Sequence, residues 1–530
     1  MNRKDLIFIS AFLIGITLII GIGYIYLFLN LISPNSHQNP PYYNIFIYSD
    51  AKFEEYGFPG NGSKENPYRI ENYSFSTAIY DGIRIDNVTK YFVIQNNEIS
   101  AGRYGICIYS VSANITRIEN NVIHGCATGI MIFYAQGSHV LNNTLYNNGA
   151  DIYMDSFTNE YCSLNSSFSV IANNTCYRDN GTSIINSGNK GVLIENNSIF
   201  LTKKKSFRAA LGLYSPINNT IRNNYFENGG FDIYFNDYSK WVSLKMYDNY
   251  LNGEYFNYKF LVNEKGMAIN VSEFHQINMF NCTDIELFGG VFKLVNMGLN
   301  LRNCSNILID ECVFTEMGGI GAELVNTWNV SFIGNFFSNS YEGFRAYTSK
   351  NILALNCSFM NCRNGVQFLY SDAFLRNSTL KGNKIGCVLF DCGYEPSAKI
   401  DGIPIDYNCT ITGNKFINNS IGCFAYVSIC IIRNNLFQLN HNGLYLRGWD
   451  AIAYITKTKS HLIENKFTEN DICVKMKLSE SHLSDNYFGF SNYGVYYSSD
   501  SLYWLNGDIF EHTDVNIYQA PDDVNFPIPL

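Results

Sequence analysis

The sequence predicts an all-β solenoid, a rod of stacked coils each built from three short strands. Three observations predict it. First, a bend asparagine returns at a nearly fixed period. It falls at Asn97, Asn121, Asn143, Asn174, Asn197 and Asn224, then at Asn335, Asn414, Asn435, Asn465 and Asn486, with Cys312, Cys357 and Ser378 standing in for it. Most steps are about 21 to 24 residues, without heptads or a Leu-x-x-Leu-x-Leu ladder, which marks a β-solenoid. Second, a glycine keeps step with it at Gly82, Gly105, Gly129, Gly298, Gly343, Gly365, Gly443 and Gly494. Glycine here is expected to supply a positive φ between strands. Third, the residue two past the bend is apolar throughout: Ile99, Ile123, Leu145, Cys176, Ile199 and Phe226, then Phe314, Phe337, Phe359, Leu380, Phe416, Phe437, Phe467 and Phe488.

These observations fit together physically. A single three-strand coil cannot bury its own apolar side chains, whereas coils stacked about 4.8 Å apart bury them against one another. Equivalent residues then form columns. The apolar residues make an interior column that turns aromatic along the axis, and the asparagines make a second whose amides hydrogen-bond between coils. About 18 coils give a rod on the order of 90 Å long.

The N-terminal elements come before the rod. Residues 1–5 carry Arg3 and Lys4, and residues 6–32 carry no charge at all. That uncharged run exceeds the roughly 20 residues a transmembrane helix needs. The flanking basic residues place residues 1–5 in the cytoplasm and the remainder of the chain outside. A cleaved signal peptide would have a shorter apolar core and an Ala-x-Ala-like site, which is not evident near Ser33. Residues 33–54, with Pro34, Pro40 and Pro41, read as a spacer and an N-terminal cap, since an open terminal coil would expose its backbone.

Residues 55–236 form the first half of the solenoid. Residues 237–275 interrupt it, and Asn252-Gly253 marks a hairpin turn there. Residues 276–504 form the second half, and residues 505–530 the C-terminal cap and tail. Smaller bulges are expected near residues 151–169, 203–214, 391–408 and 447–459. In solenoids such insertions gather on one side and form binding surfaces.

The repeats resemble right-handed parallel β-helix proteins with short Asn/Gly-rich repeats, including the NosD-type periplasmic copper-accessory proteins. Two further stretches carry the resemblance. One is Gly60-Asn61-Gly62-Ser63 through Asn66-Pro67-Tyr68-Arg69-Ile70-Glu71-Asn72. The other runs from Asn252-Gly253-Glu254-Tyr255-Phe256 to Asn281-Cys282-Thr283. The resemblance implies a right-handed coil, but this fold hosts lyases, hydrolases, adhesins and accessory proteins alike.

Function must therefore come from residues. A formal charge of −9 excludes the basic face a nucleic-acid partner needs. Sugar-cleaving β-helices use carboxylates as acid, base or calcium ligand. Asp151 with Asp155 and Asp232 with Asp237 flank the bulges and are the catalytic candidates. Against them, Asp151 and Asp232 read as turn variants placed just before the usual isoleucine. The polygalacturonase motifs Asn-Thr-Asp, Gly-His-Gly and Arg-Ile-Lys are absent, and only Asp522-Asp523 occurs, in the tail.

His461 and His482 hold the same repeat position and would sit on adjacent coils as metal-ligand candidates, although two ligands make a weak site. Calcium or copper is the cofactor that the carboxylates or this histidine pair would take. Tyr445, Trp449, Tyr493, Tyr496 and Tyr497 are candidates for stacking on sugar rings.

The 15 cysteines show no zinc spacing. Cys282 with Cys304, and Cys387 with Cys409, are spaced to stack on adjacent coils. Cys162 with Cys176 is the disulfide candidate. Asn61, Asn87, Asn114, Asn270 and Asn329 open sequons and are glycosylation candidates, whereas bend asparagines such as Asn142 are expected to be buried and poor acceptors.

The reading that results is a membrane-anchored, extracellular β-helix that binds carbohydrate or another surface partner without catalysis. A polysaccharide lyase or glycoside hydrolase is the first alternative, and a NosD-like copper accessory protein the second.

Overall fold

The computed structural model describes residues 43–156, 165–178, 181–201, 209–234, 243–393, 399–400, 403–404, 409–451 and 454–521. These residues form a right-handed parallel solenoid of about 18 turns. Each coil contributes one strand to each of three parallel sheets. The first half of the rod has sheets of eight, eight and nine strands, and the second half has twelve, eleven and ten. Sheet 1 begins with Tyr43–Ile47 and Asp81–Asp86, sheet 2 with Tyr68–Glu71 and Phe92–Gln95, and sheet 3 with Ser74–Thr77 and Glu98–Ala101. Residues 6–32 lie outside the described residues. Among the described residues no helix is long and apolar enough to cross a membrane.

The expected interior column lies in sheet 3 in the expected register. Ile99, Ile123, Leu145, Cys176, Ile199 and Phe226 are successive strand partners. In the second half Phe314, Phe337, Phe359, Leu380, Phe416, Phe437, Phe467 and Phe488 follow one another in the same way. None of them is exposed. The phenyl rings stack face to face, with centroids 4.6 Å apart for Phe314–Phe337 and 4.9 Å for Phe337–Phe359. Parallel strand spacing sets this separation, so offset stacking follows from the backbone itself.

The asparagine column also forms. Asn121 donates through Nδ2 to Asn143 Oδ1 at 3.0 Å and to Ile94 O at 2.9 Å. Its own Oδ1 accepts from Asn97 Nδ2 at 2.9 Å and from Asn97 N at 3.0 Å. One amide therefore links three coils. Where the column changes residue, Cys357 Sγ still reaches the carbonyls of Phe332 and Leu355.

Two expectations are corrected. The landmark glycines Gly82, Gly129, Gly343 and Gly443 do not have positive φ. The left-handed residue is instead the first asparagine of the bend, such as Asn96, Asn120 or Asn142, with φ near 55°. The glycine is required by close approach, since a Cβ at Gly343 would sit 2.4 Å from Gly365 O and 3.0 Å from the Phe359 ring. Likewise Asn142 is exposed, and the buried amide is its neighbour Asn143.

The ends and the interruption are also built. A short helix, Asp50–Glu55, lays Phe53 on the first coil, stacked 4.6 Å from Tyr68. The expected hairpin is present at residues 250–255, where Tyr250–Leu251 pairs antiparallel with Glu254–Tyr255. At the other end the parallel ladders run past residue 505 to Val515–Gln519. Between the halves, Gln276 joins sheet 1 to sheet 1. Its Oε1 accepts from Phe231 N at 3.3 Å and its Nε2 donates to Phe231 O at 2.8 Å, so a side chain replaces a strand partner.

Candidate functional site

Sheet 1 presents an outward column of chemically active side chains. In a strand such as Met297–Arg302, alternation turns Leu299 and Leu301 inward and leaves Asn300 and Arg302 outward. The central outward column of the second half reads Asn278, Asn300, Glu323, Arg345, Gln367, Val388, Phe424, Tyr445, Lys475, Tyr496 and Tyr518, each the register partner of the next. The column is thus polar at one end and aromatic at the other.

The polar part is a connected network. Asn300 Nδ2 donates to Asn278 Oδ1 at 2.9 Å, and Arg302 Nε donates to Asn300 Oδ1 at 3.1 Å. Arg302 pairs with Glu323 at 2.6 Å, Arg345 with Glu323 at 3.4 Å and Arg345 with Glu342 at 2.6 Å. Beyond Arg345 lies a cavity of about 310 Å³ lined by Tyr341, Glu342, Arg363, Asn364, Gln367, Leu369, Tyr370 and Phe390. Arg363 hydrogen-bonds the Tyr341 hydroxyl and its guanidinium lies 4.9 Å from that ring. Amides, a carboxylate, a guanidinium and aromatic rings therefore meet in one cleft.

The catalytic candidates separate. Asp151 takes the glycine position of its coil and is fully buried, where Oδ2 accepts from Ser183 Oγ at 2.6 Å and Oδ1 from Asn148 Nδ2 at 3.0 Å. Burial holds its carboxyl above the usual range, against the opposing effect of Arg178. Asp232 is not equivalent to it. The register puts Phe231 at the isoleucine position, so Asp232 faces outward in the central column of sheet 1. Burial, reinforced by Glu323 and opposed by Arg302, raises Asp232 to about 6. Asp155 also faces outward, and burial raises it as well. It lies three strands from Asp232, about 14 Å, so the two do not pair. Asp237 lies outside the described residues.

His461 and His482 are adjacent and exposed on sheet 2, their rings stacked 5.2 Å apart. The next rung is Trp504, 4.3 Å from His482, which has no metal-binding lone pair. Among the described residues no group of three or more His, Cys, Asp or Glu is placed to hold a metal ion.

The aromatic candidates do come together. Tyr445, Tyr493 and Tyr496 share the outer face of sheet 1, with Tyr496 5.5 Å from Tyr493 and 5.1 Å from Tyr518. Trp449 packs against the same cluster, whose members include Val388, Phe424, Tyr426 and Tyr445. Tyr445 is only 3% exposed, so it floors the patch rather than offering a free ring. Tyr497 turns aside to Tyr503.

The fourteen described cysteines are all buried. Cys387 pairs in register with Cys423, not with Cys409, because the insertion after Asp391 lengthens that step. Cys176 fills the interior column, and its candidate partner Cys162 lies outside the described residues. Asn61, Asn87, Asn114, Asn270 and Asn329 are all exposed.

The family model for periplasmic copper-binding protein (NosD) matches residues 60–267, and that for the right-handed β-helix region matches residues 268–402 and 298–458. The chain is a right-handed β-helix repeat protein. No curated protein sequence matches it. Solved β-helices are similar at low scores. PfbA, a surface adhesin of Streptococcus pneumoniae, is 12% identical with a TM-score of 0.31, over 66% of this chain and 85% of that one. The A-module of the Azotobacter vinelandii mannuronan C-5 epimerase AlgE4 is 11% identical with a TM-score of 0.19, over 89% and 97%. The catalytic unit of a thermostable GH87 α-1,3-glucanase from Streptomyces thermodiastaticus strain HF3-3 is 10% identical with a TM-score of 0.23, over 83% and 70%. Scores this low carry no functional argument. The NosD match ends well before His461 and His482.

Arg302, Glu323, Glu342, Arg345, Arg363, Asn364 and Gln367 were not singled out from the sequence. A signal for part of this set is present. The residue two past the landmark glycine runs Asn300, Glu323, Arg345 and Gln367 in successive coils, then Val388, Phe424 and Tyr445.

Proposed function

We propose that this β-helix repeat protein binds a polysaccharide along the outer face of sheet 1 without cleaving it. One observation carries the reading. A cleft of amides, charged groups and tyrosines adjoins an aromatic patch on the next strands of the same sheet. Sugars are recognised by bidentate polar groups at their hydroxyls and by flat apolar rings at their C–H faces. Residues 6–32 would anchor the chain in a membrane with the rod outside.

The test is a polysaccharide screen on the purified chain, following binding together with new reducing or unsaturated ends. Binding without new ends is expected, and it should weaken about tenfold in Gln367→Ala and Arg363→Ala. Absence of binding across the screen would overturn the reading.

Cleavage is the second reading, and Asp232 favours it. A carboxyl raised to about 6 beside Arg302 and Glu323, on the same face, has the character of a proton donor. If new ends appear and Asp232→Asn abolishes them, the protein is a lyase or hydrolase. Copper retained through dialysis and lost from His461→Ala with His482→Ala would instead support the accessory role.

A further inference from the structure

The cysteines of the second half fall into two kinds. Those at the bends stand in for an asparagine, and the sulfur caps a carbonyl. Cys304 Sγ donates to Arg302 O at 3.3 Å, Cys357 Sγ to Leu355 O at 3.4 Å and Cys392 Sγ to Phe368 O at 3.1 Å. Cys387, Cys409, Cys423 and Cys430 belong instead to strands and are packed in the apolar core, each at most 5% exposed. Among the described residues none of these four sulfurs hydrogen-bonds a carbonyl, so they lack the local job of the bend thiols.

The four occur as two stacked pairs on the same two coils. Cys387 and Cys423 are register partners in sheet 1, between Val366 and Leu444. In sheet 2 Thr410 and Ile431 are register partners, which places Cys409 opposite Cys430, between Ala373 and Ser460. The strands Ile385–Phe390 and Cys409–Thr412 lie on one coil, and Ile421–Tyr426 and Ile429–Arg433 on the next. Parallel partners hold their Cα atoms about 4.8 Å apart, inside the window of roughly 4.4 to 6.8 Å that a disulfide spans. Burial lifts the Cys387 thiol well above its ordinary range and Cys423 adds to the rise, and burial and Cys430 act on Cys409 in the same way. The sulfurs of each pair therefore sense one another. Column filling alone does not call for cysteines in register pairs, twice, on the same two coils, when Val366, Leu444, Ala373 and Ser460 fill these columns on either side.

We infer that two disulfides, Cys387–Cys423 and Cys409–Cys430, staple these coils together in the oxidised protein. The strand Ile385–Phe390 carries Phe390 of the cleft and Val388 of the aromatic patch, so the staples fix that face to the next coil whatever it binds. Each bridge forms by two exchanges with an external disulfide such as glutathione disulfide. One cysteine thiolate attacks it and releases a donor thiol, and the second cysteine then displaces the other donor thiol. The two protein thiols lose their protons to the released donor thiolates, the cysteines are oxidised, and the donor is reduced to two thiols. Buried thiols ionise poorly, so the exchange precedes the closing of these coils.

The experiment maps the linkages of the purified full chain, exported and handled without reductant. The chain is unfolded in the presence of an alkylating reagent, digested with trypsin and examined by mass spectrometry with and without reduction. Four of the fifteen cysteines should escape the reagent until they are reduced. Trypsin cuts after Lys384, Lys399, Lys415 and Arg433, so peptides 385–399, 400–415 and 416–433 should emerge as one linked species that reduction separates. Cys387→Ala should release 385–399 alone, and Cys430→Ala should release 400–415 alone. Chain refolded from denaturant with glutathione disulfide should give the same map, with Cys304 and Cys392 alkylated throughout. It should also melt about 5 °C above chain refolded under reduction, and that gap should close when Cys387→Ala and Cys409→Ala are combined.

Alkylation of all fifteen cysteines in the unfolded, unreduced chain would overturn the inference and leave four thiols that only fill the core. A bond within 385–399, joining Cys387 to Cys392, or release of 385–399 by Cys430→Ala, would overturn the pairing that the register assigns.

Discussion

At the scale of single residues, two positions of the repeat do different jobs that the sequence shows only as Asn-Asn and Gly. The first asparagine takes a left-handed φ and faces solvent, and the second is buried and bridges coils. Asn142→Gly should therefore be nearly neutral. Asn143→Ala should cost about 2 to 4 kcal/mol by leaving buried backbone groups unpaired, as urea denaturation would report. The column and its hydrogen bonds were readable from period alone, because stacking forces equivalent residues together. The reason for glycine was not, since close approach to the next coil depends on where the strand corner falls. Gly343→Ala places a Cβ 2.4 Å from Gly365 O and should destabilise by several kcal/mol, whereas a positive-φ site would tolerate less bulk for another reason.

The buried carboxyls set a pH dependence. Asp391 titrates near 7 in the folded chain and Asp232 near 6, against about 3.9 when unfolded. The folded state binds more protons through that window. The contribution is fully present below about pH 4 and is lost as pH rises through 6 to 7. Asp391→Asn should match wild type in stability at pH 4 and exceed it at pH 8 by about 2 to 4 kcal/mol, measured by denaturant titration at both values.

At the scale of elements, the rod is two parallel stacks joined at sheet 1 by a side chain. The Asn252-Gly253 turn announced the hairpin that ends the first stack. It could not announce that Gln276 would bracket Phe231, because that contact spans 45 residues and no repeat spacing implies it. Gln276→Ala strips a donor and an acceptor from the backbone of Phe231 and should cost about 2 to 5 kcal/mol. Amide hydrogen exchange at Phe231 should accelerate more than exchange at Ile99 or Phe359, deep inside either stack. Uniform protection across the seam would mean that the halves cohere by other contacts.

At the scale of the whole molecule, the sequence pointed to the aromatic patch but missed the polar cleft beside it. The five aromatics were visible because large rings stand out singly. Asn300, Glu323, Arg345 and Gln367 did not, because ordinary polar residues on a strand's outer face look like solvated surface until the register lines them up. Asp151 and Asp155 show the converse. Spacing drew them together in the chain, and strand alternation sends one inward and the other outward. Deleting residues 1–42 should move the protein from the membrane to the soluble fraction, which fractionation would register.

The most direct test of the central claim compares two faces of one rod. Binding of an oligosaccharide identified in the screen would be titrated calorimetrically against a sheet 1 variant, Glu342→Gln with Arg363→Ala and Gln367→Ala. The control is a sheet 2 variant, His461→Ala with His482→Ala and Trp504→Ala. The account predicts at least a tenfold loss of affinity in the first and wild-type affinity in the second, with both rods melting cooperatively. Unchanged binding in the sheet 1 variant, or loss confined to the sheet 2 variant, would contradict it and place the ligand on the stacked histidines and Trp504 instead.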